Sequence, residues 1–161
     1  MSIAAVRDYF SAFGMAEKVQ EFEVSSATVE LAAQAVGVIP ARIAKSLSFL
    51  VDGKAILIIT AGDAKVDNSK FKNFFHTKAK MLSPEQVIDL VGHAVGGVCP
   101  FAVKEGVQVY LDVSLQRFET VFPAAGSANS AIELTCAQLE QYACNFQGWG
   151  DFCKGWESEG A

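Results

Sequence analysis

Two apolar runs, Ile43–Val51 and Lys54–Ala61, meet at Asp52-Gly53, and this arrangement leaves the chain least freedom. Asp-Gly is preferred chemistry for a two-residue hairpin turn, because both central positions need positive φ. An antiparallel pair is therefore expected in mid-chain. Side chains alternate along a strand, so Ile43, Lys45, Leu47, Phe49 and Val51 share one face and Ala44, Ser46, Ser48 and Leu50 the other. Lys45 thus sits in the middle of the more apolar face. A cation there is costly unless its stem snorkels to water or its charge meets an anion. Both readings stand, a snorkelling side chain near a sheet edge or a cleft that needs one fixed positive charge.

Helical and strand-like patterns flank the hairpin without regular alternation. Helices are expected over Ala4–Phe13, over Val29–Val36 between a Thr28 cap and Gly37, over Asn68–Phe75, and from Ser83-Pro84-Glu85-Gln86 to Val91. A last helix is expected over Ala137–Tyr142. Strands are expected over Gln20–Ser25, Val107–Val113, Thr120–Phe122 and Ala131–Thr135. The pattern predicts an α+β fold with a mixed, largely antiparallel β-sheet surrounded by helices, rather than a doubly wound parallel sheet. Residues 1–145 read as a single domain and residues 146–161 as a weakly ordered tail.

The 161 residues include 51% hydrophobic and 19% charged ones, enough for a core without staples. Apolar runs such as Ala55–Ala61 are too short to span a bilayer, and Arg7 and Asp8 interrupt the N-terminus before a signal-like run develops. Cys99, Cys136, Cys144 and Cys153 lack paired spacing and fit a reducing, cytoplasmic setting. The net charge of −5 argues against tight, sequence-independent nucleic-acid binding, and no DNA or membrane partner is expected. Yet Lys65, Lys70, Lys72, Lys78 and Lys80 crowd one stretch with Asp67 as its lone acid. That cluster is either a solvated helix face or a local landing site for a polyanion.

The stretch Gly92-His93-Ala94-Val95-Gly96-Gly97-Val98-Cys99-Pro100-Phe101 is too apolar for a solvated turn. It reads either as a loop that lies against a pocket and offers backbone N–H groups, or as a buried crossover with a bulge. His76, His93 and the cysteines show no zinc-ligand spacing, and no metal or cofactor is expected. Phosphate-loop, dinucleotide and nucleophile-elbow patterns are absent. Cys99 with His93 would suggest thiol catalysis, but a cysteine between Val98 and Pro100 reads more simply as a packed residue. Glycine-loop amides, Lys45, Asp112 and Ser127 remain as the polar groups of a site.

Four segments in this order resemble the YbaK/prolyl-tRNA synthetase-associated family of aminoacyl-tRNA editing domains. They are Ile43-Ala44-Lys45-Ser46-Leu47, Gly62-Asp63-Ala64-Lys65-Val66-Asp67, Gly92–Pro100 and Gly126-Ser127-Ala128-Asn129-Ser130-Ala131-Ile132-Glu133-Leu134. The resemblance implies hydrolysis of amino acids wrongly attached to tRNA, most often tRNA for proline. It makes Lys45 the functional lysine near the terminal adenosine. It places Gly96 and Gly97 in the catalytic loop that ends at Pro100, and Asp112 is a looser match to a catalytic acid. Val98, Cys99, Pro100, Ser127 and Phe49 are the expected substrate contacts, and Lys65, Lys70 and Lys72 the expected tRNA contacts. The partners implied are the 3′ end of an aminoacyl-tRNA and a prolyl-tRNA synthetase that presents it. A positioned water and a few backbone donors suffice to hydrolyse an ester that is already activated. The competing reading is a non-catalytic module on the same fold that binds tRNA ends, nucleotides or a protein.

Overall fold

The computed structural model describes residues 2–156. In chain order its elements are α1 (Ser2–Ser11), β1 (Gln20–Glu21), α2 (Val29–Val36), β2 (Ile43–Val51), β3 (Lys54–Ala61), β4 (Lys65–Val66) and α3 (Asn68–Phe75). There follow α4 (Pro84–Gln86), β5 (Gln108–Asp112), β6 (Thr120–Pro123), β7 (Ser130–Ala131), β8 (Leu134–Thr135), α5 (Cys136–Tyr142), β9 (Phe146–Gly150) and β10 (Cys153–Lys154).

The hairpin forms as its sequence demands. Asp52 and Gly53 take φ of 51° and 77°, and β2 and β3 pair antiparallel from Val51↔Lys54 to Ala44↔Ala61. Around this pair lies a six-stranded sheet in the order β8-β6-β2-β3-β5-β9. The fold is the expected mixed α+β one. The β2·β3 and β6·β8 joins are antiparallel, as are the small β1·β7 and β4·β10 sheets, while β2·β6, β3·β5 and β5·β9 are parallel. Parallel neighbours need crossovers, and the long connection from β3 to β5 carries α3, α4 and the glycine loop.

β3 is buried along nearly its whole length because it has strands on both sides and packed layers on both faces. On the face of Leu47 and Phe49, Phe71 of α3 packs against Phe49 with ring centroids 4.9 Å apart and the rings tilted. A second aromatic group joins Phe10 of α1 to Phe101 at 4.8 Å and to Tyr142 of α5 at 5.4 Å.

Several elements differ from their sequence reading. The Gln20–Ser25 strand shrinks to Gln20–Glu21, with Val24 exposed beyond it. The Ala131–Thr135 strand divides into β7 and β8, which pair with different partners. The helix that starts at a Ser83 capping box widens to π-type winding over Val87–Val91 and stops at Gly92, whose φ is 98°.

The largest correction concerns the tail expected over residues 146–161. Residues 146–150 form β9 beside β5, and Cys153 and Lys154 pair with Val66 and Lys65. Phe152 is fully buried, with its ring 4.9 Å from that of Phe74. The two glycines make this stretch look loose in sequence, yet Gly150 has a packing reason: a Cβ there would lie 2.4 Å from the Phe152 ring. Residues 157–161 of the expected tail lie outside the described residues.

Candidate functional site

A pocket of about 400 Å³ opens beside β2, a size ordinary for a small-molecule site. Its floor is the stretch Ile43–Ser48 of β2. One wall comes from the start of α2, where Thr28 caps the helix by accepting the N–H of Leu31, and includes Val29 and Ala32. The opposite wall is Val87 with the loop residues Val95, Gly96 and Val98, and Ala124 and Ser130 close the end. Met81 and Val95 stand more than half exposed at its margin.

The reason for an opening here lies in the sheet. β6 follows β2 only at Ile43 and Ala44. Farther along, the Lys80–Leu82 segment covers the same edge: the Leu82 N–H donates to the Ser48 carbonyl and the Leu50 N–H to the Lys80 carbonyl. Between those two joins, residues 45–47 run along the pocket.

The glycine loop is held by its own geometry. Gly96 takes a φ of 93°, and a Cβ on it would press on Ala128 and Ala27 at 3.3 and 3.4 Å. Gly97 packs directly on the 126–127 backbone, where an added Cβ would lie 2.6 Å from the Ser127 nitrogen. The Gly97 N–H donates to the Ala94 carbonyl at 3.0 Å, so that amide serves the turn. Gly96 and Val98, with Val95 at the margin, are the loop residues that reach the pocket wall.

Lys45 borders the pocket and is half-buried. Burial lowers its pKa from the lysine value of 10.5, and the nearby Cys153 and Asp63 oppose that effect. Asp63 is itself held by Arg117, whose Nη1 donates to it at 2.9 Å; this hydrogen bond keeps its carboxyl below the usual range.

Other expected site residues lie off the pocket wall. Asp112 is fully buried and accepts the N–H groups of Ser114 at 3.0 Å and Phe152 at 2.7 Å, so its place is in the fold rather than in the catalytic group. Phe49 belongs to the core beside Phe71. Pro100 is buried, and its carbonyl accepts the Cys144 N–H. The Ser127 hydroxyl donates to Asn129 Oδ1 at 2.7 Å and lies 2.8 Å from Ser130 Oγ, and it is Ser130 that reaches the pocket.

Cys99 is fully buried, and that burial pushes its thiol up to about 12. His93 Nε2 lies 2.7 Å from the Phe101 carbonyl and must carry the proton it donates there. It cannot also accept one from Cys99, 3.6 Å away. A Cys–His nucleophile is therefore not formed. Burial lowers the His93 pKa as well, which keeps the ring neutral.

Of the expected tRNA contacts, Lys65 pairs with Lys154 in the β4·β10 ladder. Lys70 donates to Asp151 at 2.9 Å, which raises its pKa, and to the Cys153 carbonyl at 2.8 Å. Lys72 lines a second, shallower cavity of about 330 Å³ with Asn68, Ser69 and Lys78. Among the described residues no three His, Cys, Asp or Glu side chains are grouped to hold a metal ion, and no helix is long and apolar enough to cross a membrane.

Sequence reading missed Ser46, Ala124 and Ser130 as pocket residues. Ser46 and Ser130 both lie in matched segments, which is the available signal; Ala124 depends on where β6 leaves β2.

The pocket, its loop and its flanking lysine sit on a family scaffold. Residues 23–142 match the aminoacyl-tRNA editing domain model, and the chain belongs to that family. Within it, the chain is 54% identical over 158 residues to the uncharacterized protein YwhH of Bacillus subtilis (strain 168), covering 98% of this chain and 100% of that protein. It is 31% identical over 86 residues to a proline–tRNA ligase of Leuconostoc citreum (strain KM20), a match to 53% of this chain and 15% of the ligase. A solved structure described as a candidate trans-editing enzyme for prolyl tRNA synthetase superposes with a TM-score of 0.85 at 30% identity, covering 96% of this chain and 98% of that one.

Proposed function

We propose that this chain is a trans-acting aminoacyl-tRNA deacylase, which hydrolyses the ester of tRNA for proline carrying a small non-cognate amino acid. The observation that carries the reading is the pocket itself, where Gly96 and Val98 of the loop face the β2 stretch that contains Lys45. Family membership and the prolyl-tRNA-synthetase-related neighbours support the same chemistry.

An aminoacyl ester is activated, so the site has to orient it, admit one water and stabilise the developing oxyanion. The apolar walls admit a small side chain and exclude bulk water. Loop amides supply neutral donors to the ester carbonyl. Lys45 holds a phosphate or ribose oxygen of the terminal adenosine and so fixes the ester against the loop. A synthetase pocket rejects a smaller side chain by only about 1–3 kcal/mol per methylene, so a second sieve is needed. The protein acts in the cytoplasm on the tRNA 3′ end, with prolyl-tRNA synthetase as the source of the mischarged substrate.

The test is hydrolysis of tRNAs for proline charged with alanine, cysteine, serine or proline, by wild type and Lys45→Ala. One mischarged species cleaved, the prolyl form spared and the activity lost in Lys45→Ala are the expected results. A wild type that cleaves none of them, even with prolyl-tRNA synthetase present, would turn the assignment toward a binding module.

A further inference from the structure

We propose that the backbone of Ser46 reads the α-amino and carbonyl groups of the aminoacyl ester as one added β-residue. This rests on the deacylase reading and names how its pocket recognises the substrate. Strand alternation sets where the backbone groups of Ser46 point. Along β2 the Ser48 carbonyl and the Leu50 N–H both point away from β3, toward Lys80–Leu82. Backbone groups of alternate residues point to the same side of a strand, so the N–H and C=O of Ser46 point that way too. Ala44 is the last residue of β2 that β6 covers. Ser46 therefore lies at the centre of an uncovered length of edge, about 13 Å from Ala44 to Ser48 at the usual strand rise. Among the described residues no strand or turn hydrogen bond reaches it from that side.

The walls that face this edge are mostly apolar, among them Val29, Ala32, Val87, Val98 and Ala124. Of the polar side chains there, Thr28 Oγ1 accepts the Leu31 N–H and Ser130 Oγ accepts the Ser127 N–H. Buried backbone donors and acceptors nearly always find partners, and uncovered strand edges are normally blocked. A second observation points to the same residue: Ser46 Oγ is buried and makes no hydrogen bond. An uncovered backbone N–H and C=O beside an unpaired hydroxyl leave Ser46 with unmet hydrogen-bonding capacity, and its backbone edge, not the occluded hydroxyl, is the part open to the pocket.

An α-aminoacyl ester has the matching form. Its amine and its carbonyl flank a single Cα, as in a peptide residue. In a hydrogen-bonded antiparallel pair two residues exchange both N–H···O bonds. The substrate ammonium would donate to the Ser46 carbonyl, and the Ser46 N–H would donate to the ester carbonyl. The first of these bonds is charge-assisted. A prolyl ester suits the edge less well, because its ring takes one amine valence and fixes the N–Cα torsion. The same contact that holds a small primary-amine substrate would therefore help to spare the cognate one.

The experiment uses ¹⁵N-labelled protein and adenosine bearing alanine in a 3′-amide, which cannot be hydrolysed as an ester can. The comparison ligand carries a propionyl group, which lacks only the amine. At saturation the Ser46 amide signal is expected to shift and its hydrogen exchange to slow by about tenfold or more, and the alanyl ligand to bind about tenfold tighter than the propionyl one. A Ser46 amide that stays unchanged at saturation, equal affinities for the two ligands, or no binding of the alanyl ligand would each overturn the proposal. Failure of the deacylase reading looks different: mischarged tRNAs would stay intact while the Ser46 amide still responded to the alanyl ligand.

Discussion

The carboxylate of Asp112 accepts the backbone N–H of Phe152 at 2.7 Å, and so ties the end of β5 to the segment that follows β9. Its second oxygen caps the next turn through the N–H of Ser114 at 3.0 Å. Asp112→Ala strands two buried donors. It is expected to lower the unfolding free energy by roughly 2–4 kcal/mol in urea titration, while hydrolysis per folded molecule stays near wild type. Loss of hydrolysis with an unchanged urea midpoint would instead return Asp112 to the catalytic group.

Lys45 trades stability against function. Its pKa is lowered in the fold, so between that lowered value and 10.5 the unfolded chain holds a proton that the folded chain has released. Stability therefore rises with pH through this window, and the cost of the charge is fully present below it. Lys45→Met is expected to abolish deacylation while equalling or exceeding wild type in thermal stability at neutral pH. The stability difference should narrow as pH approaches 10.5.

Gly97 and Gly53 are glycines for different reasons. Gly53 has a φ of 77° and open space around it, so Gly53→Ala costs only left-handed strain of about 1–2 kcal/mol and leaves hydrolysis intact. At Gly97 the new methyl would meet the backbone of Gly126 and Ser127. Gly97→Ala is expected to push the loop off its seat and lower kcat/KM by roughly a hundredfold. Single-turnover assays on both variants separate the two cases.

Cys99 carries no nucleophilic role, since its thiol is buried and His93 has its Nε2 proton committed to Phe101. Cys99→Ser should retain deacylation within a few-fold, and native protein should resist alkylation at this position in a mass-spectrometric time course. Activity that vanished in Cys99→Ser, with the fold intact, would contradict this.

Within the lysine cluster the residues divide by what already occupies them. Lys70 is engaged by Asp151 and the Cys153 carbonyl, so Lys70→Ala should loosen β10 and reduce stability. Lys72 lines the second cavity beside Lys78. Lys72→Ala should weaken tRNA binding and reduce the slope of log K against log salt by about one. Filter binding across a salt series reads this directly.

What the sequence made legible was what short-range chemistry dictates. Asp52-Gly53 set the hairpin, and Thr28 and Ser83 cap helices by accepting backbone N–H groups where their types suggest. Lys45 and Gly96, both within the matched segments, line the pocket. What stayed hidden depends on distant pairing. That Asp112 faces Phe152 follows from β9 returning beside β5, and a segment with glycines at 148 and 150 gives no local sign of doing so. The departure of β6 from β2 after Ala44 likewise follows from the register set at Phe122 and Pro123.

The β4·β10 pairing closes Lys65 onto Lys154 across more than half of the chain, and the parallel β5·β9 join closes another long loop. Such contacts return energy only after their loop entropy has been spent, which slows folding. The hairpin, by contrast, needs only its own turn. Refolding should accordingly proceed in two kinetic stages, with hairpin-centred structure first and burial of Phe152 last. Trp149 lies on β9 and Trp156 packs against the core just past β10. Indole fluorescence therefore reports the late stage rather than the early one.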